Sequence, residues 1–165
     1  MKTHFVISTS LFATLVALTM MSTSQPAAQE ASASTAAQSL DFEFFKTRIE
    51  PIFLKKRPGH SRCYACHVAG EGRMGARSAF RLQRLSAGNT FWTEEQSRLN
   101  FQSASLLVVS GDPTSSRLLM HPIEREAGGD PFHGGGRQFA SQNDPDWLTL
   151  AEWVRGQKAG GSGEK

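Results

Sequence analysis

The chain has 165 residues, of which 18 are basic and 15 acidic, and only two are cysteines. This length suits one modest domain rather than two, and the interleaved bases and aromatics are too few to indicate nucleic-acid binding. The formal charge of +3 is unevenly distributed, because residues 55–84 carry eight basic side chains and one acidic, whereas residues 85–165 carry seven basic and ten acidic.

The N-terminus has the features of an export signal. Lys2 supplies a positive start, residues 5–21 form an apolar run and small residues follow, so we expect cleavage between residues 24 and 33. The alternative is an uncleaved membrane anchor. Five Ser and Thr side chains interrupt the apolar run, however, and it is shorter than the ~20 residues that a membrane span needs. We therefore expect a periplasmic or otherwise exported protein, with no membrane span after cleavage.

Composition divides the rest of the chain into three parts. The signal covers residues 1–28, and the following residues 29–38, rich in Ala and Ser, predict a disordered tether because they contain almost nothing to bury. Residues 157–165 predict a flexible tail. This leaves residues 39–156 as one folded domain, which is long enough for a modest hydrophobic core.

Phenylalanine spacing predicts the first helix. It opens at residues 39–41, and Phe42, Phe45 and Ile49 recur on one face at helical spacing. Pro51 lacks the N–H group that a helix interior needs, so it is expected to end or kink this helix before residues 52–54 lead to the cysteines.

Two further helices are predicted in the middle of the chain. Residues 93–96 have the form of a capping box, which predicts a helix that runs to about Val109. The apolar face of this helix consists of Phe101, Ala104 and Val108. Residues 111–113, Gly-Asp-Pro, then indicate a stop followed by a new start, which predicts a short helix over residues 115–120.

The last helix has the clearest signals. Asp144 is expected to cap it, Pro145 fits its first position, and Gly156 is expected to end it. Its predicted apolar stripe consists of Trp147, Leu148, Ala151 and Val154. We therefore predict a mostly α-helical domain with long loops between its helices. Because so much of the domain is loop, its side chains alone are expected to fill the core poorly. We expect a further apolar group to fill the interior.

The two cysteines form the motif Cys63-Tyr64-Ala65-Cys66-His67. A disulfide between them would close a very short loop and stabilise little, and a zinc site would need a second pair of ligands that no further cysteine provides. A thioredoxin-like redox pair would need a strand before it and a helix after it. Covalent haem attachment accounts for every position, because each cysteine forms a thioether with a haem vinyl group and the histidine binds the iron. We therefore predict one haem c.

The domain resembles the small monohaem c-type cytochromes exported by environmental bacteria, including domains from planctomycetes and acidobacteria. The matching segments follow one another through nearly the whole domain, and they are residues 50–54, residues 63–67, residues 80–82, residues 111–119 and the helix that contains Leu148, Trp153 and Val154. The resemblance implies electron transfer and the cytochrome c fold, with helices and long loops around one covalently bound haem. It also implies that the first and last helices pack together across the haem edge.

This chain differs from those cytochromes at the expected second iron ligand. Many relatives place a Met-Pro-Pro sequence before the last helix, and its methionine binds the iron, but this chain lacks the sequence. His133 stands at the corresponding place in a glycine-rich loop, where glycines let the backbone lie flat against the macrocycle. We therefore favour His67 and His133 as the two ligands, with Met120 and His121 as alternatives. Met74 and His60 lie too close to His67 along the chain to reach the opposite face.

These features predict a periplasmic electron carrier, not an enzyme, that serves redox proteins with acidic docking surfaces. The basic side chains expected around the haem edge are Lys55, Lys56, Arg57, Arg62, Arg73 and Arg77. An alternative is a haem sensor for small ligands, or a peroxidase-like enzyme, with an open or displaceable distal site. A third interpretation is a thiol–disulfide oxidoreductase that uses Cys63 and Cys66.

Overall fold

A computed structural model of the chain describes residues 39–70 and 78–160. The predicted export signal, the tether, the three side chains Arg73, Met74 and Arg77, and the last part of the predicted tail lie outside these residues. Within the described ranges the chain is mostly helical, and its β-structure is limited to isolated bridges. The predicted mostly α class is therefore confirmed. None of the helices described is both long enough and apolar enough to cross a bilayer.

The first helix, α1, spans residues 42–54 and consists of α-helical Phe42–Phe44, a π-helical turn over Phe45–Ile49 and α-helical Glu50–Leu54. Asp41 caps it by accepting a hydrogen bond from the Phe44 N–H. The wider π-helical turn precedes Pro51, which cannot donate to the helix. Of the two alternatives predicted for Pro51, an end or a kink, the end is wrong, because the chain remains helical up to Leu54.

The motif with both cysteines forms a short helix, α2, over Cys63–His67. The third helix, α3, spans Glu94–Ser105, and the predicted capping box is confirmed, because Thr93 accepts from the Gln96 N–H and Gln96 accepts from the Thr93 N–H. This helix ends before Val109. Its fully buried residues are the polar Ser97 and Asn100 together with Ala104, so the predicted apolar face is only partly correct.

Two short elements follow the Gly-Asp-Pro sequence. The 3-10 turn Pro113–Ser115 leads into α4, Arg117–Met120. Asp112 organises the turn, because its carboxylate accepts hydrogen bonds from the Thr114 and Ser115 N–H groups. The predicted new start is therefore confirmed. The short helix predicted over residues 115–120 is replaced by a 3-10 turn followed by a separate α-helix.

The last helix, α5, spans Pro145–Val154, and Asp144 caps it by accepting from the Asp146 N–H. Its buried residues are Trp147, Leu150, Ala151, Trp153 and Val154. Leu148 is 42% exposed, so its predicted place in the apolar stripe is wrong. Successive residues of a helix point about 100° apart, so Leu148, which directly follows the buried Trp147, points away from the core.

Helices α1 and α5 pack against each other. The Phe45 and Trp153 rings lie 5.2 Å apart between centroids, and the Trp153 indole N–H donates to the Asp41 carbonyl at 2.9 Å. Both side chains are fully buried. The structure therefore has the helix pairing that the resemblance implies. The chain between α2 and α5 folds back over one side of this pair and encloses a cavity.

Candidate functional site

A cavity of about 430 Å³ opens between α1, α2, α4 and α5. Its apolar wall includes Phe53, Phe80, Leu118, Phe139 and Leu150. Such a volume falls within the range of about 300–1,000 Å³ that is typical of sites for small molecules and cofactors. The long loops thus leave an apolar space beside the helices, as expected from the sequence.

Both cysteines of α2 line this cavity. They stand three residues apart on one helix, so their side chains lie on the same face. Cys66 is buried, and neither cysteine forms a disulfide. The thiol of Cys63 is enclosed although the residue as a whole is half-buried, and this burial raises the pKa of Cys63 to about 11. A thiol that stays protonated is a poor nucleophile, which is unfavourable for a thiol–disulfide oxidoreductase.

The imidazole ring of His67, the last residue of α2, is held by hydrogen bonds at its Nδ1 atom. Its Nδ1 lies 3.0 Å from the Phe80 carbonyl oxygen and 3.0 Å from the Ser78 hydroxyl. Because a carbonyl can only accept, Nδ1 carries the hydrogen and Nε2 keeps a lone pair for a metal ion. Burial lowers the pKa of His67, which favours this neutral form.

The backbone after Ser78 is attached to α2 and α3. The Leu82 N–H donates to the His67 carbonyl at 2.9 Å, and Leu82 accepts in turn from Ala69 at 2.8 Å. On the other side, the Arg81 N–H donates to the Ser103 hydroxyl at 2.8 Å. We call α2 together with residues 78–83 the His67 wall.

A buried polar network extends this attachment to α1. The Asn100 side chain accepts from the Gln83 N–H at 2.7 Å and donates to the Glu50 carboxylate at 3.0 Å. Ser97 donates to the other oxygen of Glu50 at 2.8 Å. Sequence reasoning missed this network, because Ser97 and Asn100 are 47 and 50 residues from Glu50 along the chain.

His133 also lines the cavity, and it lies on a segment between the 3-10 turn Arg125–Ala127 and α5. We call residues 125–137 the His133 loop. The His133 Nδ1–H donates to the Gly136 carbonyl at 2.7 Å, so here too Nε2 keeps a lone pair. Burial lowers the pKa of His133, and the neutral ring is again favoured. Gly136 has a φ of +81°, and a Cβ there would lie 2.8 Å from the His60 ring, so this position requires glycine.

The rings of His67 and His133 lie 6.4 Å apart between centroids, with 25° between their planes. An imidazole nitrogen binds a transition metal at about 2.0–2.1 Å and lies roughly 1.1 Å from its own ring centroid, so two imidazoles on opposite faces of one ion have centroids about 6.3 Å apart. The observed separation agrees with this value. The two histidines, the two cysteines and the apolar wall therefore fit a haem group.

The two alternative ligands differ in position. Met120 packs against the hydrophobic core and beside Gly128. His121 lines the same cavity as His133, and its Nδ1–H donates to the Asp130 carboxylate at 2.5 Å, which leaves its Nε2 with a lone pair as well. Its ring contacts the edge of His133 at 4.9 Å between centroids, with 82° between the two planes. Phe132, on the same loop as His133, lines the cavity and is 73% exposed.

Part of the basic segment is neutralised. Lys55 and Arg57 both form ion pairs with the Asp146 carboxylate, and Arg57 also lies over the Phe139 ring at 5.2 Å. Lys56 and Arg62 are exposed, and Arg62 borders the cavity. Two of the four described basic side chains of this predicted surface are therefore paired with an acid.

No family model, curated protein or solved structure matches this chain. Within residues 39–70 and 78–160, no three side chains of His, Cys, Asp or Glu are grouped so that they could hold a metal ion by themselves. A haem iron needs fewer protein ligands, because the porphyrin supplies four of them. The function is therefore inferred from the geometry of the cavity.

Proposed function

We propose that the chain is an exported electron-transfer protein with a cytochrome c-like fold and one haem c, attached through Cys63 and Cys66. The observation that carries this proposal is the 6.4 Å separation of the His67 and His133 rings beside the two cysteines. In both rings the Nδ1–H donates a hydrogen bond to a backbone carbonyl, and this leaves the Nε2 lone pair of each ring for iron.

The residues have distinct roles in this proposal. Bound haem would supply a one-electron couple between ferric and ferrous iron, which accepts one electron from a reduced partner protein and donates it to an oxidised one. His67 and His133 would both hold the iron and would thereby exclude substrates from it. Two imidazoles favour the ferric state more than an imidazole and a methionine do, so we expect a comparatively low reduction potential. Phe53, Phe80 and Leu118 exclude water from this site.

Covalent attachment tests the proposal first. The protein should be expressed with its export signal in a host that matures c-type cytochromes, and then extracted with acidified organic solvent. A Soret band that stays with the polypeptide, and that the double variant Cys63→Ser/Cys66→Ser loses to the solvent phase, is the expected result. A polypeptide that carries no covalently bound haem under these conditions would refute the proposed function.

The partners are proposed to be redox proteins with acidic docking surfaces. Lys56 and Arg62 are exposed, whereas Lys55 and Arg57 form ion pairs with Asp146. Electrostatic steering by such residues weakens as salt rises. We expect the electron-exchange rate with an acidic redox protein to fall with ionic strength, and to fall less steeply in Lys56→Gln/Arg62→Gln. An unchanged salt dependence in that variant would remove these two side chains from the docking surface.

A second candidate function is a haem sensor for small ligands or a peroxidase-like enzyme. One observation favours it, because His133 lies on an irregular loop and its side chain hydrogen-bonds to Gly136, three residues away. A ligand on such a loop is easier to displace than His67. Fast stoichiometric binding of carbon monoxide to the reduced protein is the result expected for this second function, whereas slow binding is expected for the electron carrier.

A further inference from the structure

The two ends of the His133 loop are joined by backbone hydrogen bonds. The Gln138 N–H donates to the Pro122 carbonyl at 2.7 Å, and the Glu124 N–H donates to the Phe139 carbonyl at 2.9 Å. Ile123 and Phe139, both buried, form an isolated parallel bridge at the same place. The base of the loop is therefore fixed, and His133 lies beyond it.

One side chain, Arg137, connects this base to the outer part of the loop. One guanidinium nitrogen of Arg137 donates to the His121 carbonyl at 3.2 Å and to the Ile123 carbonyl at 3.1 Å. The other terminal nitrogen donates to the Asp130 carbonyl at 2.6 Å, on the opposite arm of the loop. Arg137 thus holds three carbonyl groups in one arrangement.

The chemistry of arginine explains why this residue can make these contacts. Its planar guanidinium has five N–H donors in a fixed fork and stays charged at any physiological pH. A lysine ammonium is a compact point charge on a flexible stem, so it lacks the planar fork that spans the two arms. The half-buried position of Arg137 makes each hydrogen bond more valuable, because water competes less well for the carbonyl groups.

The contacts continue from Arg137 to the iron-binding ring. Arg137 fixes the backbone of Asp130, and the Asp130 carboxylate accepts from His121 at 2.5 Å. The His121 ring then contacts the edge of His133 at 4.9 Å between centroids. The His133 side chain hydrogen-bonds within its own loop, to Gly136, and the neighbouring Gly135 carbonyl accepts from the Ser61 N–H at 3.4 Å. The position of the His133 ring therefore depends on contacts that Arg137 organises.

We propose that Arg137 is a positioning residue that holds His133 at the iron and sets the rate at which His133 leaves it. This inference rests on the proposed function, because it requires His133 to be the second axial ligand. It assigns a structural cause to the slow ligand exchange expected of an electron carrier. Loss of the guanidinium should leave His133 able to bind, but should let the loop open more often.

Carbon monoxide binding to the reduced holoprotein measures this opening. When His133 must leave first, the observed rate reaches a plateau at high carbon monoxide concentration, and the plateau equals the rate of His133 dissociation. We expect Arg137→Ala to raise the plateau on the order of tenfold or more, because hydrogen bonds from a charged donor are lost. Arg137→Lys should resemble Arg137→Ala, since the fork and not the charge holds the carbonyls. Arg125→Ala, an exposed arginine of the same loop, should match the unchanged protein.

The outcomes distinguish a failure of the proposed axial pair from a failure of the proposed role of Arg137. If the unchanged protein already binds carbon monoxide as fast as His133→Ala, then His133 is not a bound ligand, and the proposed axial pair is wrong together with this inference. If the unchanged protein is slow and Arg137→Lys and Arg137→Ala are equally slow, only the role of Arg137 is refuted. Arg137→Lys also provides the test should Arg137→Ala fail to fold, and the thermal midpoint of each variant shows which variants are folded.

Discussion

The two walls that face each other across the cavity are built differently. His67 belongs to a helix, and the segment that binds its Nδ1 is attached to both α2 and α3 by hydrogen bonds between residues far apart in sequence. His133 belongs to an irregular loop, and its hydrogen bond is to Gly136, three residues away. Contacts that join distant segments break only when the domain opens widely, whereas local contacts break in small fluctuations. Under the proposed function, we therefore expect His67 to be the more firmly held iron ligand and His133 to be the one that exchanges.

The largest expected difference concerns two phenylalanines, one on each wall. Phe80 is 6% exposed and packs on Phe53 and on the His67 ring, whereas Phe132 is 73% exposed. Phe80→Ala should lower the free energy of unfolding by about 3–5 kcal/mol, the usual cost of removing a buried phenyl ring. Phe132→Ala should change it by less than about 1 kcal/mol. Urea unfolding of both holoproteins measures this, and equal losses would contradict the comparison.

A smaller effect is expected at Asn100. Asn100→Ala leaves the Gln83 N–H and one oxygen of Glu50 without their partner, and each loss occurs in the protein interior. We expect a decrease of about 1–3 kcal/mol in the free energy of unfolding. Gln102→Ala, on the exposed side of the same helix, is the matched control and should have almost no effect. A tolerated Asn100→Ala would mean that the network does not hold the His67 wall.

The contrast between the walls also shows what the sequence could predict. The Cys63-to-His67 motif and the caps at Thr93 and Asp144 were readable because short-range chemistry determines them. The network around Glu50 was not readable, because its members are 47 and 50 residues from Glu50 and meet only in the fold. Leu148 was misassigned for a similar reason, since periodicity gives a stripe but its exact rotation depends on which helix it packs against.

The candidate site shows the same difference between short-range features, which the sequence predicts, and long-range contacts, which it does not. His133 was favoured by its place in a glycine-rich segment before α5, and in the structure its ring lies 6.4 Å from the His67 ring between centroids. The ion pairs from Lys55 and Arg57 to Asp146 could not be anticipated, because 91 and 89 residues separate these partners. A charge count along the sequence therefore overestimates the basic surface.

The free energy of unfolding is expected to depend on pH because of Glu50, the carboxylate of α1 that accepts from Asn100. Burial, only partly offset by hydrogen bonds from Asn100 and Ser97, raises the pKa of Glu50. The folded state then keeps this proton to a higher pH than the unfolded chain, whose Glu pKa is about 4.3. The free energy of unfolding should therefore fall as pH rises from the unfolded pKa through the folded one. Glu50→Gln should flatten this slope, and Glu43→Gln, an exposed residue of α1, should keep it.

The smallest expected effect is a shift of reduction potential at Ser78. The Ser78 hydroxyl is a second acceptor for the His67 Nδ1–H, beside the Phe80 carbonyl. Two acceptors make the imidazole a stronger donor to iron and favour the ferric state. Ser78→Ala should raise the potential on the order of tens of millivolts, with Ser86→Ala as the exposed control. A potential that falls or stays constant in Ser78→Ala would exclude this role.

The most direct test of the central claim is a spectroscopic comparison of the oxidised protein with His133→Ala. Electron paramagnetic resonance and near-infrared magnetic circular dichroism distinguish an iron bound by two histidines from one bound by histidine and methionine. We predict a low-spin signature of two histidines in the unchanged protein and conversion to high spin in His133→Ala. A histidine–methionine signature that persists in His133→Ala would contradict the account, because it would assign the second ligand to a methionine and remove His133 from the iron.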